Sequence, residues 1–291
     1  MRSLTDWLKS WPLALLPHHL LSSIIRAVTR WRIVWLKNLL IRIFVNHFRV
    51  DLSEAAETRP GNYPDFNSFF TRALKPGARP PPEQHNAIAC PVDGAISQVG
   101  DIEAGSLLQA KGRSFSLVDL LGGDRQRAAL FEDGIFTTLY LSPRDYHRIH
   151  MPCTGQLTET VFIPGRLYSV APHTARAIPD LFTRNERQVN LFTTPTGPVA
   201  IIMVGAIFVS SMETVWEGII RPGGSAIRCQ NYASHHEPGV QLQRGDEMGR
   251  FNMGSTVILL FSRGQATWLP GLRADQPVRV GQVLGHHRLQ P

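Results

Sequence analysis

The residues Gly254-Ser255-Thr256 stand directly before an apolar run at 257–261. Glycine lets the backbone bend sharply and leaves its carbonyl open to approach. A serine hydroxyl beside that carbonyl can turn back on it, form an ester and cut its own chain. The new N-terminus can then become a reactive carbonyl group. The same triplet is also ordinary turn chemistry. Two further polar clusters bear on the choice. Asp93 lies in Cys90-Pro91-Val92-Asp93-Gly94, and His147 and His150 lie three positions apart in Tyr146-His147-Arg148-Ile149-His150-Met151-Pro152. Acid, imidazole and hydroxyl are the parts of a nucleophile-activating triad. The ring takes the hydroxyl proton and the carboxylate fixes the ring's tautomer.

Each part has a plainer reading. Asp-Gly is a strong hairpin-turn pair. The two histidines could be ordinary packed residues, or zinc ligands joined by His173, His235 or His236. HxxH without the glutamate of a zincin helix is a weak metal pattern, and we expect no metal. Cys90, Cys153 and Cys229 are odd in number and form no CxxC, which argues against a disulfide framework and fits a reducing compartment. Cys90 and Cys153 read as small buried thiols.

The elements that must position these groups are mostly strands. From residue 87 onward, short apolar segments alternate with glycine and proline, at 96–99, 135–141, 155–163, 199–209, 257–261 and 278–284. Residues 62–74 (NYPDFNSFFTRAL) read as a short helix led by Pro64-Asp65, followed by a Pro-rich connector at 75–82. The expected class is α+β, a mostly β catalytic body preceded by amphipathic helices. The segment Pro91-Val92-Asp93-Gly94-Ala95-Ile96 is similar to the first hairpin of a lipoyl- or biotinyl-carrier domain, and residues 278–285 to its last strand pair. That similarity implies a lipoyl-like barrel-sandwich core. A carrier also needs a lysine at a hairpin tip, and only Lys111 lies between these pieces, without the usual flanking residues.

Charge and tryptophan set residues 1–50 apart from residues 51–291. The first segment holds eight Lys/Arg against one acid, Asp6, which equals the whole formal net charge of +7. It also holds Trp7, Trp11, Trp31 and Trp35, four of the six tryptophans. Pro12 and Pro17 divide a first helix from a longer one at about 20–48, with Arg26, Arg30 and Lys37 near one face. Lys37 and Arg42 interrupt the best apolar run well short of a membrane span. Asp6, Pro12 and the histidines spoil a signal peptide. A basic, Trp-rich amphipathic helix reads as lying in the lipid interface against anionic head groups. The alternative is a helix that packs on the protein's own body. No nucleic-acid recognition motif accompanies the charge.

Taken in chain order, the motifs resemble the phosphatidylserine decarboxylases over nearly the whole chain. The resemblance runs from the Trp/Arg-rich start through FNSFFTR, PVDGAI, DYHRIHMP, LFTRNERQV and GRFNMGSTVILLF to GQVLG. Met253 stands where the family commonly has leucine in Leu-Gly-Ser-Thr, a near-isosteric apolar exchange. The resemblance implies a proenzyme in which Asp93 orients His150 and His150 deprotonates Ser255. Attack on Gly254 then divides the chain into 1–254 and 255–291, which stay associated, and residue 255 becomes a covalent pyruvoyl group. That group is the implied cofactor, capturing the substrate amine as an imine. His147 is the implied proton donor to the α-carbon after CO2 leaves; an unperturbed histidine suits that task. Phosphatidylserine is the implied substrate, phosphatidylethanolamine the product, and the cytoplasmic face of the cell membrane the implied peripheral location. A homodimer is implied too. Arg148, Arg166 and Arg187 are candidate phosphate contacts. A serine hydrolase using Asp93, His150 and Ser255 would instead keep its chain intact, and a carrier or membrane adaptor would have no use for Ser255.

Overall fold

A computed structural model of the chain describes residues 2–110, 112–207, 211–220, 223–232 and 239–288. Lys111, His235 and His236 lie outside the described residues. The architecture is α+β with strands dominant. The main sheet is antiparallel and centres on Ser255–Phe261, which pairs with Ile135–Leu141 on one side and Gly197–Val204 on the other. All seven residues of this strand are buried. Its alternate side chains therefore divide between two cores, Ile258 and Leu260 in one and Val257, Leu259 and Phe261 in the other. Such continuous apolar character is what a strand covered on both faces requires. The second core is closed by a four-stranded sheet that contains Arg148–His150 and Glu247–Asn252.

The two carrier-like pieces do meet. Val278 pairs with Gly94, and Val283–His287 pairs with Ala87–Ala89. Gly94 is obligatory there, because a Cβ would fall 2.2 Å from the Tyr140 carbonyl oxygen. The described strands form no closed barrel, however; the main sheet runs from Arg228–Asn231 at one edge to Pro277–Val278 at the other.

The N-terminal part folds as three helices, α1 (Arg2–Ala14), α2 (His18–Thr29) and α3 (Val34–Phe48). The single helix expected over 20–48 is thus two. The break, at residues 30–33, contains neither glycine nor proline, so periodicity alone does not reveal it. The helices dock on the body by one side. Asp6 of α1 pairs with Arg176 at 2.8 Å, and α3 packs through Ile41 and Phe44 on the short helix α4 (Phe66–Phe70). Asp65 caps α4 by accepting from the Ser68 N–H at 2.8 Å, as the Pro-Asp start suggests. Lys37 turns inward, away from any lipid-facing stripe; it is buried and donates to the Gly61 carbonyl at 2.8 Å.

Candidate active site

The bond between Gly254 and Ser255 lies where the chain passes from one sheet to another. Strand Glu247–Asn252 belongs to the four-stranded sheet and strand Ser255–Phe261 to the main sheet, so only Met253 and Gly254 join them. Both ends of this link are fixed. Asn252 donates to Ser211 Oγ at 2.9 Å and accepts from Asn67 at 3.0 Å, while Ser255 is in register with Leu141. Met253 absorbs the change of direction at φ 96°. A non-glycine residue there stores on the order of 1–3 kcal/mol of backbone strain. A Cβ on Gly254 would meet nothing within 4 Å, so glycine is not demanded by crowding, and the residue is only half-buried. The Ser255 hydroxyl is fully buried and has no hydrogen-bond partner. Such a group is costly to leave unsatisfied, and the peptide bond before it carries the Gly254 carbonyl.

The two histidines sit beside the strand that leads into the link. The His147 carbonyl accepts from the Phe251 N–H at 3.0 Å, whereas His150 is opposite Glu247. At about 3.3 Å per residue, His150 is roughly 10 Å further back along the strand than His147. Both rings bond a carbonyl through Nδ1, His147 to Asp145 O and His150 to Gly245 O, each at 2.8 Å. A carbonyl only accepts, so Nδ1 carries the proton in each and Nε2 a lone pair. At His150 that lone pair faces the Tyr146 hydroxyl at 3.0 Å. At His147 it is buried and unpartnered, beneath the Phe70 ring at 4.1 Å. Burial pushes the His147 pKa down to about 3, so the ring is neutral near pH 7 rather than ready to donate. Burial lowers His150 as well. Burial raises the Asp145 carboxyl to about 6 against the Ser142 N–H it accepts.

Asp93 does not touch His150. Its carboxylate takes two bonds from Arg79, Nε at 3.0 Å and Nη2 at 2.6 Å, and one from the Val280 N–H at 2.8 Å. The orienting contact expected from Asp93 is made instead by Gly245 O. Asp93 pins the Pro-rich connector to the C-terminal segment, which belongs to the 255–291 piece of a cut chain. Replacing Asp93 by Ala should therefore cost about 3 kcal/mol, since it strips a largely buried carboxylate from a guanidinium and a backbone donor. Urea unfolding measures this. Unchanged stability together with a stalled cut would return Asp93 to a chemical role.

Of the three candidate phosphate contacts, Arg148 and Arg187 are engaged, whereas Arg166 is exposed and commits a single donor. Arg148 pairs with Glu247 at 2.8 Å, Arg166 donates to Ala14 O, and the buried Arg187 spends its donors on the carbonyls of Asp119, Leu120, Thr183 and Asn185. Cys90 and Cys153 are buried free thiols with pKa values pushed up to about 12; Cys229 is free and exposed. Among the described residues no group of three or more His, Cys, Asp or Glu could hold a metal ion.

Two cavities flank this region. One, of about 320 Å³, is polar and includes Arg72, Arg79, Asp93, Asp145 and Tyr146 in its wall. The other, of about 310 Å³, is apolar and lies between α2 and α3, with Phe66 and Met253 at its floor.

The sequence model of a family described as phosphatidylserine decarboxylase matches residues 66–286, and a second, described as PSD, matches residues 8–49. The chain belongs to the phosphatidylserine decarboxylase family. A phosphatidylserine decarboxylase proenzyme of Ectopseudomonas mendocina is 53% identical over 94% of this chain and 96% of its own length. Proenzymes of the same description from Nitrosococcus oceani and Bordetella pertussis are each 52% identical, covering 97% and 93% of this chain and 92% and 91% of their own. These family matches span Asp93, His147, His150, Gly254 and Ser255. Tyr146, Asp145, Asn67, Phe70, Arg72 and Asn252 join the site as residues the sequence did not assign. All six stand inside the motifs quoted above, so motif membership was the available signal.

Proposed function

We propose that the chain is made as an inactive proenzyme, cuts itself between Gly254 and Ser255, and then decarboxylates phosphatidylserine to phosphatidylethanolamine. The observation that carries this reading is the two-residue link with strained Met253 and an unpartnered, buried Ser255 hydroxyl directly after Gly254, in a chain about half identical to named proenzymes. The Ser255 oxygen attacks the Gly254 carbonyl and the peptide becomes an ester. β-Elimination then releases the Gly254 carboxylate and leaves dehydroalanine at residue 255, which tautomerises to an imine and takes up water, losing its nitrogen as ammonia, to become the pyruvoyl group. The residues fit that group: Ser255 is buried at the start of the central strand, in register with Leu141, and its hydroxyl has no hydrogen-bond partner. When present, it supplies an electron sink for the electrons left on the α-carbon as CO2 departs. The chain's own residues do the rest. His150, steadied by Gly245 O and Tyr146, takes the Ser255 proton; His147 moves a proton at the substrate carbon. A second division of labour, with His147 as the base for Ser255, is favoured by its free Nε2 and its shorter distance along the strand. Electrophoresis with intact mass is the decisive test, and a single unmodified active chain ends the proposal. The closed barrel being absent, the lipoyl-like reading survives only as the proposal that the paired segments around Gly94 and Val278 are a barrel-sandwich element within a larger sheet.

The same proposal includes a membrane surface. Of the eighteen large hydrophobic side chains left exposed among the described residues, thirteen lie in residues 1–50, including Trp31 at 46% and Trp35 at 69%. No described helix is long and apolar enough to cross a membrane. Amphipathic helices of this kind bind by burying an apolar face at the head-group level. Deleting residues 1–48 would also strip α3 from α4, so substitution is the cleaner experiment. Trp31→Ala/Trp35→Ala should weaken sedimentation with vesicles containing anionic lipid about tenfold while leaving the melting temperature within 2 °C, by the transfer energy of two half-exposed indoles. Undiminished sedimentation removes the surface claim.

A further inference from the structure

Among the described residues, Arg72 is a buried cation beside the site that stacks over the Phe69 ring, 5.7 Å from its centroid, but leaves donors unmet. It is 4% exposed, and its Nη2 donates to Arg144 O at 3.0 Å and Asp145 O at 3.4 Å. Its Nε and Nη1 are buried with no partner. Among the described residues no carboxylate lies within ion-pair distance of it, whereas Arg79 in the same cavity has Glu54 and Asp93. A buried guanidinium without a counter-ion is expensive, and an anionic ligand is what would complete it. Its place is also informative. Asp145 O accepts from both Arg72 and His147, so one carbonyl joins this cation to the imidazole of the site.

The polar cavity that Arg72 lines and the apolar groove reach the C-terminal end of α3 from two sides. Phe48 is in the wall of one, and its neighbour Arg49 in the wall of the other. The short helix α4 divides them, with Phe66 facing the groove and Arg72 just past its end. An anion site beside an apolar slot suits an amphiphile, and both volumes fall in the range of ordinary ligand sites.

Resting on the decarboxylase reading, we propose that these two cavities hold one phospholipid, its phosphodiester on Arg72 and an acyl chain in the groove above Met253. The phosphate is assigned to Arg72, rather than the carboxylate, on energetic grounds. A guanidinium on the carboxylate would stabilise the charge that must vanish as CO2 leaves, binding the ground state more tightly than the transition state. A guanidinium on the phosphate holds the lipid without that penalty.

The probe is short-chain phosphatidylserine below its micellar concentration, titrated into the Ser255→Ala protein. Arg72→Gln should weaken the dihexanoyl lipid at least tenfold, and Arg72→Lys less. Glycerol 3-phosphate should compete with the lipid in the Arg72 protein and not in Arg72→Gln. In the unsubstituted site, affinity should rise roughly threefold per added methylene from dibutanoyl to dihexanoyl chains. Unchanged affinity in folded Arg72→Gln overturns the proposal. So does glycerol 3-phosphate binding as tightly as the dihexanoyl lipid, which would leave a phosphate site with no part for the groove. If Arg72→Gln does not fold, the chain-length series and the competition in the Arg72 protein decide: absence of competition by glycerol 3-phosphate, or no rise in affinity with chain length, overturns the proposal. Cleavage of the chain carrying Ser255 is read separately by mass: an uncut protein defeats the decarboxylase reading, while a cut, active protein with an indifferent Arg72 defeats only this inference.

Discussion

Ser255→Ala is expected to remain one uncut chain and to release no CO2 from phosphatidylserine above background. The unsubstituted protein should separate under denaturing conditions into 1–254 and 255–291, the smaller piece blocked at its N-terminus. The size of the effect follows from what the hydroxyl does. Its oxygen is the nucleophile that breaks the peptide, and its departure with Gly254 is what opens the Cα of residue 255 to become the reactive carbonyl carbon, so no residual route remains once it is gone. Alanine is otherwise well tolerated at this position. The hydroxyl makes no hydrogen bond, so its removal leaves no partner unsatisfied, and the strand keeps its pairing with Ile135–Leu141 and Gly197–Val204. The variant should therefore melt no lower than the parent, which separates loss of chemistry from loss of fold. A Ser255→Ala protein that still divides would place the nucleophile elsewhere.

The same sheet pairing predicts the behaviour of the cut protein. The smaller piece would begin with the central, fully buried strand of the main sheet and continue to Val283–His287, which pairs with Ala87–Ala89. The Val280 N–H is held by Asp93 from the larger piece. Dissociation would open both hydrophobic cores along their length, so the pieces separate only when the whole fold does.

Much of this arrangement was legible in the sequence because it is written in local pattern. The strand at residues 135–141 is read from apolar alternation and fits its observed bounds, and the turn into α4 is announced by Pro64-Asp65. Ser255 could be singled out because glycine before it and an unbroken apolar run after it are both local. What local pattern does not carry is partner choice. Asp93 looks like a triad acid from its type, yet a guanidinium fourteen residues earlier and an amide near the C-terminus claim it. Arg187 looks like a surface cation, yet four carbonyls surround it. His147 looks like a histidine that titrates near neutrality, and burial beneath Phe70 removes that property. Each of these outcomes depends on segments distant in sequence, and none leaves a trace in spacing.

His147→Ala is expected to cut itself normally and then to decarboxylate at least a hundredfold more slowly, the loss typical of removing a positioned proton donor or acceptor. One feature of the structure favours a substrate-directed task for this ring: it shares the Asp145 carbonyl with Arg72, whose cavity is polar. A pKa near 3 makes it an acceptor in the uncut chain. Donation to a carbon requires that it first gain a proton, and a bound anionic head group shifts it in that direction by favouring the charged ring. The rate should accordingly depend on pH in the parent through a group that titrates only with substrate bound, visible in kcat and absent from kcat/KM. His150→Ala, by contrast, should stay uncut. The paired result matters more than either alone. A His147→Ala protein that remains whole, beside a His150→Ala protein that divides, would exchange the two roles, and the roughly 10 Å that His150 stands further back along its strand would then be the physical reason.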